Sequence, residues 1–302
     1  VSPALAIPGP FAADIEAREG RPGRAWLRRL PRLVAALCDD WRVTPEGPTW
    51  YGYCAVALPV RDENGDPAVL KVSWAGPDQA PEAPTLRAWS GDGAVRLLRH
   101  DPDRWALLLE RLDERRDLTG EPLDEAIHTI GRLLARLHRA PPPSEVPTLA
   151  RVSRTWADRL AYYWPAEMPW SPRVRDEVVA TCRELADDTD ARLLHADLHF
   201  ENVLAAEREP WLAIDPKGLV GDPAFEAWPV LWNRFEEYAA PRDVARRLDA
   251  WCEAARIDRH RARAWARART VEDAADRLAT ARGDERDVSV HRFLLDGLPA
   301  GS

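Results

Sequence analysis

Hydrophobic positions change their period along this chain. From 11 to about 40, Ile15, Trp26, Leu27, Leu30, Leu33, Val34 and Leu37 recur at three- and four-residue spacing, the repeat of a helix with one buried face. Pro22 and Pro31 fall inside that stretch and are expected to interrupt it. The segment "YGYCAVALPVRDENGDPAVLKVSW" then alternates through Tyr53, Ala55, Ala57 and Val60, turns at Asn64-Gly65, and resumes a strand-like run over 69–74. That pattern predicts a β-hairpin. A short helix over 82–89 follows, and then two strand-like runs, "AVRLLRH" and "RWALLLERL", split by the turn "DPD". Together these predict a small domain built on an antiparallel sheet.

After "DERRDLTGEP" the texture becomes helical. Ile127, Ile130, Leu133, Leu134 and Leu137 share one face of a helix predicted over 123–138, which three prolines at 141–143 bring to an end. Further helices are expected over about 148–164, 173–187 and 223–282. Between them, "LLHADLHFENVL" reads as two short buried strands around a polar loop, and "WLAID" as another short strand. Two domains follow, 1–112 with a helical N-terminal extension and 113–302.

Composition narrows the function classes. With 302 residues, 45% of them hydrophobic, and 14 tryptophans, the chain can bury one extended core or two smaller ones. Lys and Arg number 42 against 50 Asp and Glu, a net charge of -8, which argues against general nucleic-acid binding and favours a neutral or cationic small partner. Cys38, Cys54, Cys182 and Cys252 form no CxxC and have no histidine at ligand spacing, so they read as reduced thiols of a cytoplasmic protein. No run approaches a membrane span, and "VSPALAIPGPFAAD" lacks the basic and apolar regions of an export signal. No obligate protein partner is evident.

The candidate chemistry centres on the polar loop. Asp197 and Asn202 lie five positions apart in H-x-D-L-x-x-x-N, and Asp215 ends the strand "WLAID". Phosphoryl transfer from a nucleotide needs one carboxylate to take a hydrogen bond from the attacking hydroxyl, and a second carboxylate and an amide oxygen to hold magnesium against the phosphates. Asp197 suits the first role, Asp215 and Asn202 the second. Upstream, Lys71 in "AVLKVS" is placed to neutralise the inner phosphates, with Glu82 to hold it in position.

These residues carry a resemblance. Through "GDPAVLKVSW", "LRAWSGDGAVRLL", "LLHADLHFENVL" and "IDPKGLVGDPAFEAWPVLWNR", and in weaker form over nearly the whole chain, the sequence resembles the aminoglycoside and hydroxyurea phosphotransferases, the kinase-like family that includes streptomycin 6-kinases. The resemblance implies an α+β, bilobal protein-kinase-like fold with a small antiparallel-sheet lobe and a larger, mainly helical lobe. It implies ATP, with GTP not excluded, Mg2+, and transfer to a hydroxyl of a small-molecule acceptor such as a streptomycin-like antibiotic or hydroxyurea. By carry-over, Asp197 is the catalytic base, Asn202 and Asp215 bind metal, Lys71 contacts phosphate and pairs with Glu82, and Glu110, Arg111 and Leu112 form a hinge offering backbone groups to adenine. The expected nucleotide-covering loop, "EGPTWYGYCAV", holds only Gly47 and Gly52 and is not a Gly-x-Gly-x-x-Gly loop.

Other readings stand beside this one. His195 and His199 bracket Asp197 as a His-x-Asp-x-His hydrolytic metal site would, although loop bracing accounts for His195 more simply. Asp222 reads equally as a helix cap and as a site residue. Asp187, Asp188 and Asp190 fit a solvated acidic turn better than a magnet for a cationic substrate. Trp228 and Trp232 belong to the core or line a pocket. At the level of function, the alternatives are a catalytically silent nucleotide-binding protein of the same fold and a kinase of a non-antibiotic metabolite. Protein kinase activity is disfavoured by the lack of an Ala-Pro-Glu segment after Asp215, and neither a Gly-x-Ser-x-Gly elbow nor a P-loop is present.

Overall fold

The first helix breaks at a glycine, not at either proline. In the computed structural model, which describes residues 6–76, 79–186, 191–280 and 285–299, helix α1 covers Gly9–Trp41 with one non-helical residue, Gly20, at φ 57° and ψ -130°. Glycine alone reaches that conformation without a Cβ penalty. Pro22 sits just past the break, in a first turn where its missing N–H costs nothing. The helix runs on through Pro31, contrary to the expectation of an interruption there. One hydrogen bond is lost, but Leu27, Leu30, Val34 and Leu37 around it are buried, and burial of four such side chains outweighs that loss.

The chain divides into two units, one reaching to Gly91 and resuming over Val95–Leu112, the other taking Asp92–Ala94 and everything from Asp113. The hydrophobic pattern alone puts Asp92–Ala94 in the first domain. The carbonyl of Gly93 accepts the Ala213 N–H at 3.0 Å and Ala94 bridges to Ala213, so backbone pairing ties this short stretch to the second unit.

In the first unit, β1 (Thr44–Pro45), β2 (Trp50–Tyr51), β3 (Ala55–Arg61), β4 (Pro67–Ser73), β5 (Leu97–Asp101) and β6 (Ala106–Glu110) form an antiparallel sheet in the order β1-β3-β4-β6-β5, with β2 on β3. Helix α2 (Glu82–Trp89) links β4 to β5. The β3–β4 turn is a five-residue loop in which Asp62 Oδ1 accepts the N–H groups of Asn64 and Asp66, both at 2.9 Å, and Gly65 takes φ 85°. Strand period two puts Ala68, Leu70 and Val72 on the face that packs with α1, along with Val56, Leu58, Val60, Ala106 and Leu108. Lys71, between Leu70 and Val72, therefore points to the opposite face.

The second unit opens with β7 (Asp113–Asp117), followed by α3 (Leu123–Leu137), α4 (Leu149–Tyr162) and α5 (Pro172–Leu185). Short strands β8 (Arg192–Leu194), β9 (Val203–Ala205), β10 (Trp211–Ala213) and β11 (Leu219–Gly221) come next. Helices α6 (Ala227–Trp232), α7 (Arg242–Ala255), α8 (Arg259–Ala279) and α9 (Glu285–Asp296) complete it. The two strands flanking the polar loop do not pair with each other, as their sequence proximity invites. Instead β8 pairs with β11, and β9 lies between β10 and β7. Cys38, Cys182 and Cys252 are buried free thiols, and burial raises Cys38 and Cys182 to about 11 and Cys252 to about 12, far from reactivity near neutral pH. The stretch holding Asp187, Asp188 and Asp190 lies outside the described residues.

Helices α3 and α7 meet at Gly131, where a Cβ would come within 2.6 Å of the Ala254 Cβ and 3.0 Å of the Ala255 backbone nitrogen. Gly131→Ala would gain up to about 1 kcal/mol of helix propensity on an exposed surface, but here it pushes two helix backbones apart. Chemical denaturation should show a net loss of about 1–3 kcal/mol. A more stable variant would mean that the two helices are not in contact at this point.

Candidate active site

The loops between the short strands of this unit place its acidic side chains. Strand β8 delivers the chain into residues 195–199, a 3-10 turn at Phe200–Asn202 follows, and β9 leaves. Because Val203 pairs with Ala213 and the Ile214 N–H donates to the Asn202 carbonyl at 2.9 Å, the β9–β10 hairpin carries Asn202 and Asp215 to the same end. The β8–β11 pair fixes the other side, the His195 carbonyl accepting the Lys217 N–H at 2.9 Å. Two sequence-distant loops are thereby joined. Asn202 Nδ2 donates to the Asp197 carbonyl at 2.9 Å, and Lys217 Nζ lies 3.2 Å from Asp215 Oδ2.

Two residues here adopt left-handed backbone despite having side chains: Ala196 at φ 69° and Asp215 at φ 56°. Such conformations cost free energy and persist only where neighbouring groups over-determine them. For Ala196 the main restraint is Glu226, whose Oε1 accepts the His195 N–H at 2.6 Å and whose Oε2 accepts the Ala196 N–H at 2.8 Å. Glu226 is wholly buried, with His138 Nε2 3.4 Å from Oε1. Burial pushes its carboxyl up, but the hydrogen bond and charge of His138, with the hydrogen bond from the His195 N–H, outweigh it and hold the group below the ordinary carboxylate range.

His195 braces the same turn. Burial pushes its imidazole down, and Glu226 and Asp197 only partly offset that, so the neutral ring is favoured. The tautomer that fits donates Nε2–H to the Ile214 carbonyl at 2.9 Å and accepts the Asp197 N–H at Nδ1, 3.3 Å away. With both ring nitrogens engaged, His195 has none to give a metal. Among the described residues, no group of three or more His, Cys, Asp or Glu gathers as a metal cage. The hydrolytic His-x-Asp-x-His reading loses its support. His199 precedes the 3-10 turn, its Nδ1 3.4 Å from Glu201.

Asp222 proves to be a cap and a structural tie. It accepts the Ala224 N–H at 2.9 Å, pairs with Arg261 at 2.7 Å and accepts the Trp265 indole N–H at 2.7 Å. Trp228 and Trp232 stack with ring centroids 5.3 Å apart, and Trp232 packs on His291 at 4.7 Å, which makes them members of an aromatic cluster. Glu226 lies in a segment that carries the resemblance but has no role in the sequence reading, although a lone carboxylate inside the apolar run "AFEAWPVL" is a legible signal: a buried acid needs partners.

The first unit holds the other predicted residues. Lys71 Nζ lies 2.7 and 2.8 Å from the two oxygens of Glu82, the first residue of α2, and both side chains are largely buried. Glu82 at this position also faces the positive end of the helix. Glu110 ends β6 and its N–H donates to the Arg96 carbonyl at 2.9 Å; Arg111 pairs with Glu46; Leu112 is buried.

Known proteins resemble this chain in sequence and in shape. A family description, aminoglycoside/hydroxyurea antibiotic resistance kinase, matches residues 40–280. The streptomycin 6-kinase of Streptomyces glaucescens is 39% identical over 274 residues, 89% of either chain. The hydroxyurea phosphotransferase of Kitasatospora aureofaciens is 38% identical over 288 residues, 91% of this chain and 82% of its own. Among solved structures, the amicoumacin kinase hAmiN in complex with AMP-PNP and Ca2+ superposes with a TM-score of 0.63 at 15% identity, over 87% of this chain and 92% of that one. At that identity the likeness speaks for the fold, which is the α+β kinase-like fold expected. The chain belongs to the aminoglycoside/hydroxyurea antibiotic resistance kinase family and is a nucleotide-dependent phosphotransferase acting on small-molecule hydroxyl groups.

Proposed function

We propose that this protein transfers the γ-phosphoryl group of ATP to a hydroxyl of a streptomycin-like aminoglycoside in the cytoplasm, inactivating the drug. The observation that carries the proposal is the turn 195–202, in which a strained, doubly anchored backbone presents Asp197 with Asn202 bonded to its carbonyl, and to which the strand leading to Asp215 is tied through the Asn202 carbonyl. Chemistry of this type is mostly positioning and charge neutralisation, which such a rigid turn supplies. Asp197 accepts a hydrogen bond from the acceptor hydroxyl, whose oxygen attacks the γ-phosphorus in line with the bond to the β-phosphate oxygen. As the new O–P bond forms and the old one breaks, the hydroxyl proton passes to Asp197 and ADP leaves.

Asn202 and Asp215 fit a magnesium ion. With Asn202 Nδ2 donating to the Asp197 carbonyl, its Oδ1 remains for a hard cation, and the Asp215 carboxylate supplies a second oxygen. Bound there with nucleotide, the ion would neutralise charge on the phosphates. Lys71 adds a positive charge for the inner phosphates, and the two-oxygen contact with Glu82 holds its ammonium in one place. Glu110, Arg111 and Leu112 offer the backbone groups for adenine. The streptomycin reading is supported by the 39% identity to a streptomycin 6-kinase; hydroxyurea is the competing acceptor, on the 38% identity to its phosphotransferase.

Incubation with Mg-ATP and each acceptor, followed by mass spectrometry, should show streptomycin gaining one phosphoryl group. Asp197→Asn should lower that turnover by about 10²–10⁴-fold while ATP affinity stays near wild type. Phosphorylation of hydroxyurea alone would reassign the acceptor, and equal loss of turnover and ATP affinity would make Asp197 structural. Asp215→Ala should act differently, raising the magnesium concentration needed for half-maximal rate. An unchanged magnesium dependence would remove Asp215 from the metal site.

A further inference from the structure

Arg269 lies in α8, 73 positions after Ala196, and no part of the mechanism above uses it. Its guanidinium reaches back to two backbone carbonyls. Nη1 donates to Phe225 at 3.3 Å and Nη2 to Ala196 at 3.5 Å. The carbonyl of Ala196 and the N–H of Asp197 share one peptide plane, and the N–H end already donates to His195 Nδ1 at 3.3 Å. That plane is therefore held at both ends. Rotation of that plane would swing the Asp197 side chain, and Glu226 does not prevent it, because it secures only the amides of His195 and Ala196.

We propose that Arg269 is a positioning residue for Asp197, locking the Ala196–Asp197 peptide plane so that the carboxylate meets the acceptor hydroxyl in one orientation. The proposal rests on the reading of Asp197 as the base. Packing fixes the fork itself, since the guanidinium carbon lies 4.2 Å from the centre of the Phe225 ring and 5.0 Å from that of Trp228. Asp197, Glu226 and Asp273 surround it with negative charge; burial still lowers its pKa below the ordinary value, a cost that a residue free to leave this position would avoid. Lysine could not replace it, because one ammonium cannot span two divergent carbonyls as a planar fork does.

The test compares Arg269→Met, Arg269→Lys and a control from the same helix, Arg267→Met, whose side chain bonds the Leu298 carbonyl instead. In both Arg269 variants kcat for streptomycin should fall on the order of 10²-fold, with KM for ATP within about twofold and the melting temperature no lower than in the control. Hydrogen exchange at the Asp197 amide should quicken in both, and not in Arg267→Met. Exchange needs no acceptor, so quickened exchange in an enzyme that phosphorylates no streptomycin would fault the substrate, not the positioning role. Unchanged exchange at Asp197, an equal kcat loss in Arg267→Met, or full activity in Arg269→Lys would each overturn the proposal. Should Arg269→Met not fold, Arg269→Lys carries the comparison.

Discussion

The buried carboxylate of Glu226 is the constraint on which the path of the second unit's polar loop depends. A charge with no solvent must be matched by donors, and here the donors are the two successive amides of His195 and Ala196, with His138 behind. Accepting both N–H groups with one planar group dictates the local path of the chain. Ala196 must enter left-handed space, and the next residue, Asp197, is turned out of the strand direction. The cap at Asp222 serves the same end, because it starts the 3-10 turn Pro223–Glu226 that delivers the carboxylate. A buried network is thus converted into the direction the backbone takes at Asp197.

The first unit solves a parallel problem by a simpler route. Lys71 is carried on a central strand whose alternate residues are buried under α1, so its direction is set by strand period and core packing together. The α2 N-terminus supplies the matching carboxylate at the first helical residue. Neither partner is held by loops. The same logic of rigid elements presenting charged groups governs both units, and it is what a phosphoryl-transfer enzyme needs, since it stabilises charge more than it makes bonds.

Much of this architecture is legible in the amino-acid sequence. The Lys71 strand, helix α2 over 82–89 and α3 from Leu123 follow from strong periodicity and from turn and cap residues. The loop carrying Asp197 and Asn202 stands out because two apolar brackets enclose polar residues at characteristic spacing. Other elements escape for physical reasons. Strand β7 reads "DERRD", five charged residues with almost no buried position, so hydrophobic patterning has nothing to report. Strands of three residues, such as β8 and β11, carry less than two periods, and their partners lie about 27 residues away, as Leu193 does from Val220. The break at Gly20 hides behind two more conspicuous prolines. Glu226 and Arg269 are charged residues working from beneath the site, where a sequence shows their charge but not the donors or carbonyls they meet.

The state of Glu226 can be read most directly from stability against pH, comparing wild type with Glu226→Gln, which keeps the size of the side chain and leaves His138 and His195 in place. A carboxylate whose folded pKa lies below its ordinary value of 4.5 contributes stability that is present above that value and is lost as pH falls through the folded one. Urea unfolding should therefore show the wild type ahead by roughly 2–4 kcal/mol above about pH 5, with the gap closing on acidification below 4.5. No gap at neutral pH, or one that widens in acid, would contradict an ionised Glu226 as the anchor of the Asp197 loop.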